Sequence, residues 1–122
     1  MNILIDTHIF IWLLKTPRKI SPQHIEILKS PHTFFLSSIS VAEMMIKSSI
    51  GKLEVDYDPV EMAGKSGLKL LDFSAKDAVL LKSLPMHHKD SFDRMLIAQC
   101  INCDCAIMTS DSKFGPYDCS LV

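Results

Sequence analysis

Four acidic residues of this sequence, Asp6, Glu43, Asp93 and Asp111, are spaced so that a fold could gather them around a divalent cation. Each of them also has an ordinary structural explanation. Asp6 could cap a helix that follows it, and Glu43 could complete a capping box with Ser40. Asp93 suits the first turn of a helix, where the dipole stabilises a carboxylate by roughly 0.3–1 kcal/mol, and Asp111 suits a turn. Taken one at a time, these acids indicate no function.

Together, the four acids would form a site for a hard cation. Two carboxylates about 5 Å apart repel by roughly 3 kcal/mol at an effective dielectric near 20, so a cluster of four needs a positive ion or protons on some members. Oxygen ligands without a paired histidine or cysteine favour Mg²⁺, or Mn²⁺, over zinc. Such an ion lowers the pKa of a bound water and stabilises charge on a phosphoryl oxygen. The chemistry indicated is phosphodiester hydrolysis.

The elements that must position these acids predict an α/β fold. Strands are predicted at 2–5, 33–36, 68–73 and 105–109, and a fifth could lie near 119–122. Helices are predicted at 9–14, 22–29, 41–48, 59–65, 75–84 and 90–103. Because strands alternate with helices, we expect a central, mostly parallel sheet of four to five strands with helices on both faces. The carboxyl ends of parallel strands share one edge, and every acid lies at a strand end or helix start on that edge.

Length and composition indicate one soluble globular domain, residues 1–122. The chain is 48% hydrophobic and has 4 Gly and 6 Pro, which excludes disordered and collagen-like classes. Its net charge of −1 argues against binding polyanions by bulk charge, so any nucleic-acid contact must be local. No apolar run is long enough to cross a membrane, and the cysteine spacing does not suit a disulfide scaffold. These features predict a cytoplasmic protein.

Four segments resemble, in the right order, the motifs of PIN-domain nucleases, and in particular the VapC-type toxins of bacterial toxin–antitoxin modules. The segments are ILIDT at 3–7, SVAE at 40–43, DSFDRMLIAQ at 90–99 and MTSDSKF at 108–114. The third is the most specific, although Ser91 stands where many relatives have proline and Cys100 where alanine is frequent. The resemblance covers nearly the whole chain and implies a PIN-like fold that cleaves RNA with Mg²⁺. It also implies an antitoxin protein as partner and a homodimer.

The resemblance assigns the acidic quartet to the metal site. We expect Asp6 and Asp93 to be the principal ligands, while Glu43 and Asp111 hold metal-bound waters or a second ion. Thr109 matches the threonine commonly found two positions before the last acid of the family, and we expect it to contact the substrate. Because Mg²⁺ usually keeps several of its waters, direct contact with all four acids is not expected.

Basic residues beside the acids could hold substrate phosphates, namely Arg94 and Lys113. The spacing of Asp90 and Arg94, four residues apart on a helix, predicts an ion pair instead. His87 and His88 are predicted to be exposed loop histidines rather than ligands.

Apolar residues around Trp12 exceed what one face of a short helix can bury. We expect most of them to pack in the core, and some could form a homodimer surface or a groove for an antitoxin segment. His8 is expected to pack at the first turn of the same helix.

Three other functions would use parts of this sequence. A phospho-receiver-like domain needs adjacent acids after its first strand, whereas Asp6 is followed by Thr7 and His8. A structural zinc module would need converging sulfurs, whereas the spacing of Cys100, Cys103, Cys105 and Cys119 favours buried free thiols. A PIN fold without nuclease activity, acting as an RNA- or protein-binding module, stays open as the alternative, although all four acids are present.

Overall fold

A five-stranded parallel sheet with six α-helices forms the fold of residues 1–122, all of which the computed structural model describes. The strands are β1 (Asn2–Ile5), β2 (Thr33–Ser37), β3 (Lys69–Leu71), β4 (Ala106–Met108) and β5 (Ser120–Leu121). The helices are α1 (Thr7–Lys15), α2 (Pro22–Leu28), α3 (Ser38–Ser49), α4 (Pro59–Lys65), α5 (Ala75–Leu80) and α6 (Ser91–Cys103). Two short 3₁₀ helices lie at Pro17–Lys19 and Ser112–Phe114. None of the six α-helices has the length and hydropathy needed to cross a bilayer.

The sheet order is β3-β2-β1-β4-β5, and every neighbouring pair is parallel. Strand β1 therefore lies at the centre of the sheet, with β2 and β3 on one side of it and β4 and β5 on the other. The strand order reverses between β1 and β4, and such a switch point leaves a crevice at the carboxyl ends of the strands. The predicted α/β fold is confirmed, with a sheet that is parallel throughout.

Strand β1 is central because its side chains are apolar on both faces. Ile3, Leu4 and Ile5 are fully buried. Ile3 and Ile5 contact a core that includes Phe10 of α1, and Leu4 contacts a second core that includes Leu96 of α6. Helices on both faces of the sheet thus hold β1, and with it Asp6 at its end, in a fixed position.

Two predicted helix boundaries are wrong by three residues or more. Helix α3 begins earlier than predicted, because Ser37 is the residue that caps it, with its hydroxyl accepting from the Ile39 N–H at 3.0 Å. Ser40 therefore lies inside the helix and forms no capping box with Glu43. Helix α5 ends at Leu80 rather than near 84, and turns follow it.

Candidate active site

Asp6 stands directly after β1, at the switch point of the sheet, and is 4% exposed. Its Oδ1 accepts from the Ile9 N–H at 2.8 Å, so the residue does cap α1. Its Oδ2 accepts from the Thr109 hydroxyl, and Thr109 Oγ1 in turn accepts from the N–H of Asp111 at 3.0 Å. Burial raises the pKa of Asp6, and the bond from Thr109 opposes that rise. The hydroxyl of Thr109 thus connects the acids that follow β1 and β4.

His88 connects the other pair of acids. Its imidazole Nε2 lies 2.7 Å from Asp93 Oδ2 and 3.5 Å from Asp111 Oδ2. One donor atom from each of these three residues lies within 4.8 Å of the other two. His88 is 6% exposed, so the prediction of an exposed loop histidine is wrong for it, although right for His87. The donor set around the acids includes a nitrogen as well as oxygens.

Aromatic residues near the carboxyl end of the chain bury His88. Its ring packs edge-on against Phe114 with centroids 5.9 Å apart, and its backbone N–H donates to the Tyr117 hydroxyl at 2.8 Å. Its Nδ1 accepts from the Asp90 N–H at 3.4 Å, so the neutral ring carries its proton on Nε2 and donates it to Asp93. The polar stretch before α6 gives no sequence signal for this burial.

Glu43, on α3, is 3% exposed and has two partners. Its Oε1 accepts from the Thr7 hydroxyl at 2.8 Å, and its Oε2 lies 2.7 Å from Nζ of Lys47. The bond to Glu43 raises the pKa of Lys47. Sequence reasoning missed Lys47, although its position four residues after Glu43 on one helix is a signal that could have identified it.

Charge interactions link the acids in two pairs, Asp93 with Glu43 and Asp6 with Asp111. Burial, and then the charge of Asp90, raise the pKa of Asp93 to about 6, and the charge of Glu43 contributes as well. The charge of Asp111 contributes to the raised pKa of Asp6. The repulsion expected from the sequence is therefore present within each pair, where it adds to the effect of burial on the pKa values of Asp6 and Asp93, and the Lys47 ammonium balances the charge of Glu43.

A divalent cation fits this arrangement. Metal–oxygen distances near 2.1 Å place ligand atoms up to about 4.2 Å apart, so the carboxylates of Asp93 and Asp111, with oxygens within 4.8 Å of each other, could meet one ion after small rotations. Each carboxylate oxygen of Asp6 has one hydrogen bond and keeps a second lone pair free for a cation. Asp93 and Asp111 also line an open groove of about 770 Å³, which leaves room for a substrate.

The hydrogen bonds of Arg94 differ from both roles that the sequence predicts for it, a phosphate contact and an ion pair with Asp90. Its guanidinium donates to the backbone carbonyls of Pro85 at 3.0 Å and Leu81 at 3.3 Å, and to the Tyr117 hydroxyl at 3.3 Å. It forms no ion pair with Asp90, which instead caps α6. Arg94 therefore fixes the segment that carries His88 and has few donors left for a phosphate.

Lys113 lies at the rim of the open groove, with an exposed side chain. Its backbone N–H is bonded to Asp111 Oδ1 at 2.9 Å, which places Asp111 as the cap of the second 3₁₀ helix. The Lys113 ammonium has no ion-pair partner, so it is free to meet an anion in the groove.

The four cysteines are free thiols. Cys100 and Cys105 are buried, Cys103 is exposed and Cys119 is partly exposed. Cys100 Sγ donates to the carbonyl of Cys105 at 2.6 Å, and the cysteines form no group of three or more metal-binding side chains. This arrangement disfavours the structural zinc module.

The sequence matches the family model of the PIN domain over residues 3–118, and the chain belongs to that family. No curated protein matches it significantly.

Solved structures of similar fold include three toxin–antitoxin complexes. VapBC2 from Rickettsia felis bound to a DNA fragment from their promoter is 20% identical, with a TM-score of 0.75, and the match covers 100% of this chain and 98% of that chain. DNA-bound VapBC from Salmonella typhimurium is 18% identical, with a TM-score of 0.71 and coverage of 100% and 97%. VapBC-1 from nontypeable Haemophilus influenzae is 17% identical, with a TM-score of 0.68 and coverage of 100% and 97%. These likenesses establish a shared fold.

Proposed function

We propose that this chain is a Mg²⁺- or Mn²⁺-dependent endoribonuclease that hydrolyses RNA phosphodiester bonds, and that it is the toxin of a toxin–antitoxin module. The observation that supports this most is the cluster at the sheet edge, where His88 Nε2 lies 2.7 Å from Asp93 and 3.5 Å from Asp111. Thr109 joins the same cluster to Asp6. Paired acids are costly without a cation, and PIN domains are generally nucleases.

We assign Asp6 and Asp93 as the principal ligands, and Glu43 and Asp111 as acids that orient water. A bound divalent ion would lower the pKa of a water and stabilise negative charge on a phosphoryl oxygen. The chain's own residues hold the ligand carboxylates in position. Thr109 and the Ile9 N–H fix the carboxylate of Asp6 in one orientation.

The substrate phosphates would lie in the open groove, where Lys113 offers an unpaired cation. The sequence predicts Thr109 and Arg94 as substrate contacts, whereas in this proposal both act through other residues. Thr109 orients two acids, and Arg94 holds the segment before α6. The groove is open to solvent, which suits a polymer better than an enclosed small molecule.

The test is cleavage of labelled RNA by the purified chain in Mg²⁺, in Mn²⁺ and in EDTA. We expect metal-dependent cleavage that is lost in Asp6→Asn and Asp93→Asn. Asp72→Asn is the matched control, because it removes an exposed acid that follows β3 at the same edge of the sheet. Equal cleavage in EDTA, or full activity of Asp6→Asn, would reject the mechanism. RNA binding without cleavage under every metal would favour the non-catalytic alternative.

The proposal includes two protein partners, an antitoxin and a second copy of this chain, and a cytoplasmic location. Its support is the shared fold with VapBC complexes and an apolar surface on α3, where Met45, Ile46 and Ile50 near its end are exposed. Light scattering on the purified chain would give twice the monomer mass of 13.7 kDa for a homodimer. A monomer at micromolar concentration would contradict that part of the proposal.

A further inference from the structure

A second cavity, of about 270 Å³, opens beside the acids and has a different character from the open groove. We call it the tryptophan cavity. Ile11, Trp12 and Leu53 form its apolar side, and Lys47 and Lys52 lie on its polar side. It therefore combines an aromatic ring, aliphatic side chains and two cations in a small volume.

The tryptophan cavity adjoins the candidate active site. Thr7 and Glu43, which are hydrogen bonded at 2.8 Å, line it. His8 lines both the tryptophan cavity and the open groove of Asp93 and Asp111. The side chain of His8 is exposed, and its ring lies 6.3 Å from that of Trp12, centroid to centroid, in agreement with the expectation that it packs at the first turn of α1. A polymer lying in the groove would reach the tryptophan cavity by passing His8.

Trp12 is placed to offer a stacking surface. It is the only tryptophan of the chain, and it packs partly against the core beneath α1 while remaining partly exposed. The same helix buries Ile9 and Phe10 completely, so core formation uses those residues and leaves part of the indole available. Aromatic side chains bind nucleobases by stacking, because every base has a planar π face.

The two lysines suit the phosphates that flank such a base. Lys47 is already paired with Glu43 at 2.7 Å. Lys52 is exposed and forms no ion pair. An aromatic ring beside a free cation is the combination that single-stranded nucleic acid uses, with stacking for bases and charge for the backbone.

We propose that the tryptophan cavity binds the base of an RNA nucleotide that neighbours the scissile phosphate, with the base stacked on Trp12 and a phosphate at Lys52. This inference rests on the proposed function and adds a source of substrate preference to it. Stacking tolerates every base and favours the larger rings, so the preference is for a purine over a pyrimidine at that position.

Because Trp12 is the sole tryptophan, its intrinsic fluorescence reports on the cavity without any label. The experiment titrates the full chain, in EDTA and at low salt, with hexaadenylate and with hexauridylate ribonucleotides. EDTA prevents metal-dependent cleavage, so binding is measured by itself. We expect saturable quenching by both oligomers, at lower concentration for hexaadenylate.

Variants then separate stacking from charge, with fluorescein-labelled oligomers and polarisation as the readout. Trp12→Leu should weaken hexaadenylate binding about 5- to 150-fold, and Trp12→Phe should retain most of the affinity. Lys52→Met should weaken both oligomers alike and flatten the salt dependence by about one phosphate contact. Lys19→Met is the matched control, because it removes an exposed lysine of the first 3₁₀ helix and should change neither oligomer.

Two results would overturn the inference. One is RNA binding with no change in Trp12 fluorescence at saturation, which would leave the cavity to a side chain of a protein partner. The other is equal affinity of wild type, Trp12→Leu and Trp12→Phe for hexaadenylate. Should Trp12→Leu fail to fold, the quenching of the wild type still decides. If RNA is cleaved in an Asp6-dependent manner but leaves Trp12 unaffected, only this inference fails. If the oligomers quench Trp12 but no metal supports cleavage, the nuclease function fails instead.

Discussion

Replacing Asp93 by asparagine should stabilise the metal-free protein at neutral pH. Burial and neighbouring charge raise the pKa of Asp93 from about 3.8 to about 6 in the folded chain. Because the folded pKa is the higher one, the unfolded chain loses this proton first as the pH rises. The contribution of Asp93 to folding is therefore complete below about pH 4 and is lost as the pH rises through about 6.

The size of the effect follows from the difference in pKa. A shift of about 2 units at about 1.4 kcal/mol per unit amounts to about 3 kcal/mol against folding at pH 7.5. Asparagine does not ionise, and its side-chain oxygen can still accept the proton of His88 Nε2, which lies 2.7 Å from Asp93 Oδ2. Asp93→Asn should therefore unfold about 10 °C higher than wild type at pH 7.5.

The assay is thermal unfolding in EDTA at pH 7.5 and pH 4.5, with Asp72→Asn as the control for loss of one charge. We expect the advantage of Asp93→Asn to shrink at pH 4.5, where Asp93 itself is mostly protonated. A variant that is less stable than wild type at pH 7.5, or equally more stable at both pH values, would refute the electrostatic reasoning. Saturating Mg²⁺ should stabilise wild type more than the variant, because the variant replaces one of the two principal carboxylate ligands by a neutral amide.

Three further predictions concern the residues around the acids. Lys47→Met leaves the Glu43 carboxylate buried without its cation, which should lower the free energy of unfolding in urea by about 1–3 kcal/mol. Mn²⁺ should partly restore that stability, and equal stability of variant and wild type in EDTA would contradict the prediction. Thr109→Val removes a hydroxyl that bonds two acids and should weaken Mn²⁺ binding, measured by calorimetry, about 10- to 100-fold, whereas unchanged affinity would argue against its positioning role. Arg94→Lys should lower the free energy of unfolding by about 2 kcal/mol, because the variant loses several hydrogen bonds to backbone carbonyls. Lys113→Met should weaken RNA binding and change the free energy of unfolding by less than about 0.5 kcal/mol, because the side chain is exposed. The opposite ranking of those two variants in urea unfolding would show that their roles are reversed.

The framework of the fold follows from local signals. A short apolar run predicts β1, and the cap residue Asp6 predicts the start of α1, because both depend on neighbours in sequence. The end of α5 does not follow from local signals, since the apolar spacing that predicts this helix continues to Leu84. The carbonyls of Leu81 and Leu84 instead accept hydrogen bonds from Arg94, which belongs to a later helix.

In the candidate site, too, some features follow from local sequence and others depend on distant residues. The order of the strands brings acids to one edge, and that much follows from the alternation of elements. The burial of His88 depends on Phe114 and Tyr117, which come about thirty residues later, and no local pattern marks it. The sequence does not identify Ser37 as the cap of α3, because several serines precede that helix and only tertiary packing selects among them.

Strand order also has a consequence for synthesis. β1 is made first, yet one of its two neighbours, β4, begins only at Ala106. Asp6 and Thr109 are 103 residues apart, so at 5–20 residues per second a ribosome needs about 5–20 s between them. During that interval the growing polypeptide can pair β1 with β2 but has no way to complete the acid cluster. The acid cluster is thus complete only after the segment that carries Thr109 and Asp111 has emerged from the ribosome, and chains released earlier would lack Asp111 altogether.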